Sequence, residues 1–71
     1  MNKSDLAKKL ATKANMTEDQ ATAFIQAFSD VMADYFKKGE KVVLAEFGSF
    51  YVREDKSVQF NPSAKLRDQV G

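Results

Sequence analysis

Residues 17–38, TEDQATAFIQAFSDVMADYFKK, are the stretch that decides the fold of this 71-residue chain. At the roughly 100° per residue of an α-helix, its apolar side chains fall on one face and its polar side chains on the other. Thr17 is a typical N-cap, acids follow it at the positive end of the helix, and Gln20 occupies the capping-box position. Lys38 and Gly39 are typical of a helix end. The apolar face of the predicted helix consists of Ala21, Phe24, Ile25, Phe28, Val31, Met32, Tyr35 and Phe36.

A helix face this rich in aromatic rings needs a large partner surface, and the chain is short. Its length allows one domain, residues 1–71, and a domain of this size buries only about 60% of its unfolded surface. Disulfides, a metal ion or oligomerisation are the usual remedies. The sequence contains no Cys and no His, which excludes disulfides and the common zinc sites. We therefore expect a second copy to cover the aromatic face, and we expect no metal and no cofactor.

The N-terminal segment predicts a shorter helix before the long one. We expect Ser4 to cap it and Asn15 to end it, so that the two helices form an αα-hairpin. Lysines cover much of its polar face. A basic helix can lie on a membrane surface, but here the apolar face is mostly alanine, so we expect no membrane binding. The sequence shows neither an apolar signal core nor a run of ~20 apolar residues, and we expect a soluble cytoplasmic protein.

After Gly39 the period of the apolar residues changes from helical to alternating, which predicts β-strands. The first two strands are joined by a tight turn at 46–48, for which Gly48 supplies conformational freedom. A polar break at 54–57 precedes a third, short strand, and Pro62 suits the entry to a last helix. The fold class is therefore α+β, with a two-helix hairpin, a three-stranded antiparallel sheet and a C-terminal helix. The predicted strands and last helix cover residues 42–45, 49–53, 58–60 and 64–70.

The sequence contains few of the residue combinations that enzymes use for catalysis. Without His or Cys, a nucleophilic serine would need lysine as its base, and no serine stands in a Ser-x-x-Lys or nucleophile-elbow context. Asp30 and Asp34 lie one helical turn apart, a spacing that acid–base or metal pairs also use. On a polar helix face the simpler interpretation is solvation, with Asp34 beside Lys38. We predict that the chain is not an enzyme.

Four short segments, taken in order and with their spacing, carry a resemblance. They are MNKS at 1–4, KGEKV at 38–42, FGSFYVR at 47–53 and FNPSAKLRD at 60–68. Together they resemble the HU/IHF family of bacterial nucleoid DNA-binding proteins, and the last segment is most similar to the IHF form. The resemblance covers nearly the whole chain.

The resemblance implies an intertwined dimer that binds double-stranded DNA. It implies a dimer core formed by Phe24, Phe28, Phe36, Phe47, Phe50 and Phe60. It also implies phosphate contacts at the N-termini of the first and last helices, where free N–H groups and the helix dipole favour anions, and from cations nearby. The DNA-binding candidates are Lys3, Ser4, Arg53, Lys56, Ser63, Ala64 and Lys65.

The chain departs from the family at the connection between the second and third strands. There the family has a long β-ribbon arm, rich in Arg and Lys, whose tip proline wedges between base pairs and kinks the duplex. Here Arg53 is followed by four turn residues and Val58, and Pro62 belongs to the closing segment. We therefore expect the chain to lack the β-ribbon arm with which the family bends DNA.

Two functional hypotheses remain. The first is a reduced module of the bacterial nucleoid that binds DNA phosphates weakly, without sequence preference and without kinking. The second is a protein-interaction module that has kept the dimer fold and lost DNA binding. Both a homodimer and a heterodimer with a full-length relative fit the pattern. We favour DNA binding because Lys3, Arg53 and Lys65 are present, although the formal net charge is only +1. Against it, Glu46, Glu54 and Asp55 would repel a duplex.

Overall fold

The computed structural model describes the whole chain, from Met1 to Gly71. It confirms the predicted α+β fold of three helices and one antiparallel sheet. The elements are α1 (Lys3–Ala14), α2 (Glu18–Lys37), β1 (Val42–Leu44), β2 (Gly48–Val52), β3 (Val58–Pro62) and α3 (Ala64–Val70). The chain divides into two compact units, Met1–Val31 and Met32–Gly71, with the boundary inside α2. No helix combines the length and the apolar character that crossing a membrane requires.

The start of α1 differs from the prediction, because Asn2 rather than Ser4 is its N-cap. The Asn2 side-chain oxygen accepts the N–H of Asp5 at 2.9 Å, and its carbonyl oxygen accepts the N–H of Leu6 at 2.9 Å. Asn is as good a cap as Ser, so the earlier residue begins the helix and Ser4 lies within the first turn. At the other end Asn15 follows the last helical residue in the left-handed conformation, with φ of 57°, which Asn tolerates well.

The start of α2 confirms the predicted capping box. The Thr17 hydroxyl accepts the N–H of Gln20 at 3.0 Å, and the Gln20 side-chain oxygen accepts the N–H of Thr17 at 2.9 Å. At the other end Lys38 lies beyond the last helical residue, and its N–H donates to the Tyr35 carbonyl at 3.1 Å. Asp34 and Lys38 lie one helical turn apart and form no ion pair.

Small residues hold the helices of the first unit together. Ala7, Ala11 and Ala21 form the buried cluster, and partly buried apolar side chains surround it. Because alanines allow two helices to approach closely, the larger rings of α2 stay outside this contact. Phe24 and Phe28 are 56% and 40% exposed, with ring centroids 6.3 Å apart. The aromatic face of α2 is therefore largely uncovered in the single chain.

The sheet of the second unit is a meander with the strand order β1-β2-β3. Phe50 in the central strand pairs with Val42 on one side and Phe60 on the other. The turn between β1 and β2 is closed by the Phe47 N–H, which donates to the Leu44 carbonyl at 3.0 Å. The first two strands lie within one residue of their predicted bounds, at 42–44 and 48–52.

The third strand is longer than predicted and includes Pro62, which pairs with Gly48. The expectation that Pro62 begins the last helix is therefore wrong. β3 is an edge strand, where proline is tolerated because one side of the strand needs no ladder hydrogen bond. Ser63 takes the capping role instead, since its hydroxyl accepts the N–H of Leu66 at 3.1 Å. α3 itself covers the predicted residues 64–70.

Position 48 requires a glycine because the Phe60 ring and the Asn61 backbone leave no space for a side chain. A Cβ atom at this position would lie 2.6 Å from Cε1 of the Phe60 ring and would overlap the carbonyl oxygen of Asn61. The Phe60 ring lies at 4.8 Å from that of Phe50 and 5.3 Å from that of Phe47, measured between centroids. The absence of a side chain at residue 48 thus allows three aromatic rings of this unit to cluster.

Candidate functional site

The first candidate site residues lie at the start of α1, in the first unit. The cap uses the N–H of Asp5, while the N–H groups of Lys3 and Ser4 have no acceptor within the chain. The Lys3 ammonium donates to the side-chain oxygen of Gln26 at 3.0 Å, and all of these groups are exposed. Open N–H groups, a positive helix end and an ammonium group together form an arrangement suited to an anion.

The start of α3, in the second unit, repeats this arrangement. Ser63 caps the N–H of Leu66, and the N–H groups of Ala64 and Lys65 have no acceptor within the chain. The difference lies in the lysine. The Lys65 ammonium forms an ion pair with a carboxylate oxygen of Glu46 at 3.1 Å. The cation that the sequence predicted for DNA is therefore already paired with an acid.

The start of α2 provides an internal comparison. Its first two helical residues are Glu18 and Asp19, whose negative charges would repel a phosphate group. The capping box also occupies the N–H of Gln20. Of the three helix starts, those of α1 and α3 carry a lysine in the first turn and that of α2 does not.

The turn between β2 and β3 brings Arg53 and Lys56 together. The Arg53 N–H donates to the Ser57 carbonyl at 2.9 Å, and the Lys56 N–H donates to the Arg53 carbonyl at 3.0 Å. The turn includes a residue in the left-handed region, Lys56 with φ of 73°, as short hairpin connections commonly do. The five residues 53–57 join the two strands directly.

The same turn carries two acids, so its four charges cancel. Ser57 donates to the Asp55 carboxylate twice, from its hydroxyl at 2.6 Å and from its N–H at 3.0 Å. These hydrogen bonds, that of the hydroxyl first, hold the pKa of Asp55 below its ordinary value of 3.8. Asp55 therefore stays charged at neutral pH, and with Glu54 it offsets the cations of the turn.

The sequence did not reveal two features of this arrangement. Glu46 and Lys65 are 19 residues apart, and no local pattern predicts that pair. Asn2 was not recognised as a cap because Ser4 fits the same role equally well. Asn2 in fact leaves the N–H of Ser4 open, because it starts the helix earlier.

Comparison with known proteins places the chain in a family. The sequence profile described as bacterial DNA-binding protein matches residues 1–57, which is most of the chain. The chain therefore belongs to the bacterial DNA-binding protein family.

Within this family its curated relatives include HU proteins. It is 40% identical over 53 residues to the DNA-binding protein HU of Lactococcus lactis subsp. lactis (strain IL1403), covering 75% of this chain and 58% of the relative. It is 40% identical over 57 residues to the DNA-binding protein HU of Nostoc sp. (strain PCC 7120 / SAG 25.82 / UTEX 2576), covering 80% of this chain and 61% of the relative. The chain thus spans less than two thirds of the length of these relatives.

Solved structures extend the likeness to the entire chain. A mutant of HU from Thermotoga maritima matches with a TM-score of 0.94 and 31% identity, over 100% of both chains. An Anabaena HU–DNA cocrystal structure matches with a TM-score of 0.88 and 26% identity, over 100% of this chain and 98% of that one. The fold of the chain is that of HU.

Proposed function

We propose that this chain forms a homodimer that binds double-stranded DNA in the bacterial nucleoid, weakly and without sequence preference, through contacts to phosphates. The observation that carries the proposal is the match over the full chain to an HU protein crystallised with DNA. The two lysine-bearing helix starts and the short turn between β2 and β3 determine the mode of binding that we propose.

The single chain lacks a core of large side chains, which supports the dimer. Its buried apolar residues are three alanines and Met32, and no large side chain is fully buried. Each phenylalanine that moves from water into an interface contributes about 1.5–3 kcal/mol. Four of the six predicted core rings are at least 39% exposed, namely Phe24, Phe28, Phe47 and Phe60. A second copy that covers them supplies the stability that a 71-residue chain needs.

The DNA contacts that we propose involve only the backbone of the duplex. Open N–H groups at a helix start, together with an ammonium group, suit a phosphate oxygen. The cations of the β2–β3 turn add a further, weaker contribution because acids lie between them. The proposed contact residues are Lys3, Ser4, Arg53, Lys56, Ser63, Ala64 and Lys65.

The absence of an arm argues against kinking and against reading of bases. A wedge must insert an apolar side chain between base pairs, and base readout must place side chains at groove edges. The connection between β2 and β3 is a five-residue turn with no apolar side chain at its tip. The proposed complex therefore leaves the duplex straight and its sequence unread.

A titration of a fluorescently labelled duplex with the protein, at several salt concentrations, tests the proposal. Each neutralised phosphate adds about −0.9 to the slope of log affinity against log salt. We expect a slope of roughly −2 to −5 and a dissociation constant of about 10⁻⁴ to 10⁻⁶ M at physiological salt. The double substitution Lys3→Glu and Lys65→Glu should abolish binding and leave the dimer intact, because both side chains are exposed.

Two outcomes would contradict the proposal. Binding in the nanomolar range with strong bending would require contacts that the chain does not offer. Complete absence of binding at low salt would favour the second hypothesis, a protein-interaction module. In that case mixing with a full-length relative and separating the species by size would show whether the chain enters heterodimers.

A further inference from the structure

The two lysines at the helix starts have partners of different charge. Lys3 donates to the neutral amide of Gln26 at 3.0 Å, whereas Lys65 is paired with the carboxylate of Glu46 at 3.1 Å. An amide releases an ammonium group without leaving a charge behind. A carboxylate offers the same kind of charge-assisted hydrogen bond that a phosphate offers. The ammonium group of Lys65 is therefore paired directly with a competitor for phosphate. Lys3 has no carboxylate partner of its own, because Gln26 stands between it and Asp30, to which the Gln26 amide donates at 3.1 Å.

Backbone geometry holds this competitor in place. Glu46 is the third residue of the turn that the Phe47 N–H closes onto the Leu44 carbonyl at 3.0 Å. The carbonyl oxygen of Phe47, the residue after Glu46, accepts the N–H of Ser63 at 2.9 Å. This bond links the turn to the start of α3. The side chains of Lys65 and Glu46 remain 55% and 71% exposed. The pair is thus positioned by the backbone and yet open to an incoming phosphate.

The conformation of Glu46 is unusual for this residue type. Its φ of 69° lies in the left-handed region, where glycine is favoured and a side chain is strained. A glycine would satisfy the turn, but it would leave Lys65 without the carboxylate. The turn does not require a side chain at position 46, but the ion pair with Lys65 does.

We infer that Glu46 is an intramolecular competitor for DNA phosphate at Lys65, so that phosphate binding at the start of α3 is attenuated and phosphate binding at the start of α1 is not. The inference rests on the proposed function, because it concerns the regulation of that same surface. A phosphate that binds Lys65 must displace the carboxylate, and the displaced carboxylate then repels the phosphate. Glu46 thereby lowers the affinity of the chain for DNA.

The substitution Glu46→Gln tests this inference with little change in structure. Glutamine keeps a side chain at the left-handed position and gives Lys65 the kind of partner that Lys3 already has. Because exposed ion pairs are weak, we expect the dissociation constant for a labelled duplex at moderate salt to fall about twofold to fivefold. Glu40→Gln is the matched control, since it changes the net charge equally and Glu40 makes no side-chain contact with Lys65. Its effect should be less than about 1.5-fold at moderate salt, where distant charges are screened.

The substitution Lys65→Met, made in both backgrounds, separates local competition from net charge. In the wild type it should weaken binding only about twofold. Lys65 must give up its ion pair with Glu46 to bind a phosphate, so its contact with DNA adds little free energy there. In the Glu46→Gln background the same substitution should weaken binding about fivefold or more. Equal costs in both backgrounds, or equal gains from Glu46→Gln and Glu40→Gln, would overturn the inference. If the wild type and all variants fail to bind at low salt, the proposed function fails, and this inference fails with it.

Discussion

The backbone N–H of Ser63 donates to the carbonyl oxygen of Phe47 at 2.9 Å. This bond joins the residue before β2 to the residue before α3, and Gly48 pairs with Pro62 directly beside it. The start of the central strand and the start of the last helix are therefore one structural element. Substitutions in this element should affect both the stability of the second unit and the position of Lys65.

Gly48→Ala should destabilise the protein by about 3 kcal/mol or somewhat less, the usual range for overpacking. The new methyl group would meet the Phe60 ring and the Asn61 carbonyl oxygen, and a ladder oxygen cannot move away as a flexible side chain can. Gly39→Ala is the control, because its φ is 72° but nothing lies within 4 Å. It should cost about 1–2 kcal/mol, because only the left-handed backbone opposes a side chain there. Urea unfolding at one fixed protein concentration measures both, and equal costs would contradict the close approach at Gly48.

Phe28→Ala should destabilise the protein by about 3–5 kcal/mol, as for a core phenylalanine, although Phe28 is 40% exposed in the single chain. The cost arises if a second copy covers the ring, since an exposed ring contributes little. Val70→Ala, at a residue that is 83% exposed, should change stability by less than about 0.5 kcal/mol. Sedimentation should show a dimer. Thermal unfolding should give a melting temperature that rises with protein concentration. A monomer at micromolar concentration with a constant melting temperature would refute the dimer.

The complex with DNA should leave a short duplex straight. With a five-residue turn between β2 and β3 there is no wedge to kink the base stack. Energy transfer between dyes at the two duplex ends should therefore be unchanged on saturation with protein. Random-sequence DNA should compete as well as any defined site, because the contacts are to phosphates. A protected footprint that survives such competition would contradict this prediction.

Ser57→Ala should raise the pKa of Asp55 toward its ordinary value of 3.8, because it removes the hydroxyl that lowers that pKa most. A carboxyl group whose pKa is depressed in the folded state stabilises that state above its ordinary pKa. This contribution is lost as the pH falls through the lower, folded-state value. Carboxyl chemical shifts followed by NMR between neutral and acidic pH measure the change. Ser49→Ala in β2 should leave the Asp55 titration unchanged, and an unchanged titration in Ser57→Ala would contradict the assigned cause.

Local patterns predicted those parts of the molecule that local physics determines. The capping box of Thr17 and Gln20 and the alternation around Phe50 involve neighbours in sequence, so their elements were placed within a residue or two. Pro62 was misassigned because its tolerance depends on β3 being an edge strand, which is a property of the assembled sheet. The pair of Glu46 and Lys65 could not be predicted for a similar reason. It depends on a backbone bond between the turn and the start of α3 that brings together residues far apart in sequence.

The meander order of the sheet has a kinetic consequence. Each strand pairs with its neighbour in sequence, and the two connections are short turns, so little loop entropy opposes either pairing. Hairpins of this kind form in about 1–10 μs, far faster than two chains meet at micromolar concentration. Refolding should therefore show a fast phase independent of concentration, followed by a second-order phase whose rate rises with concentration. Temperature-jump relaxation would resolve the fast phase, and stopped-flow mixing at several concentrations would follow the slower one. A single first-order phase at every concentration would mean that the chain folds without its partner.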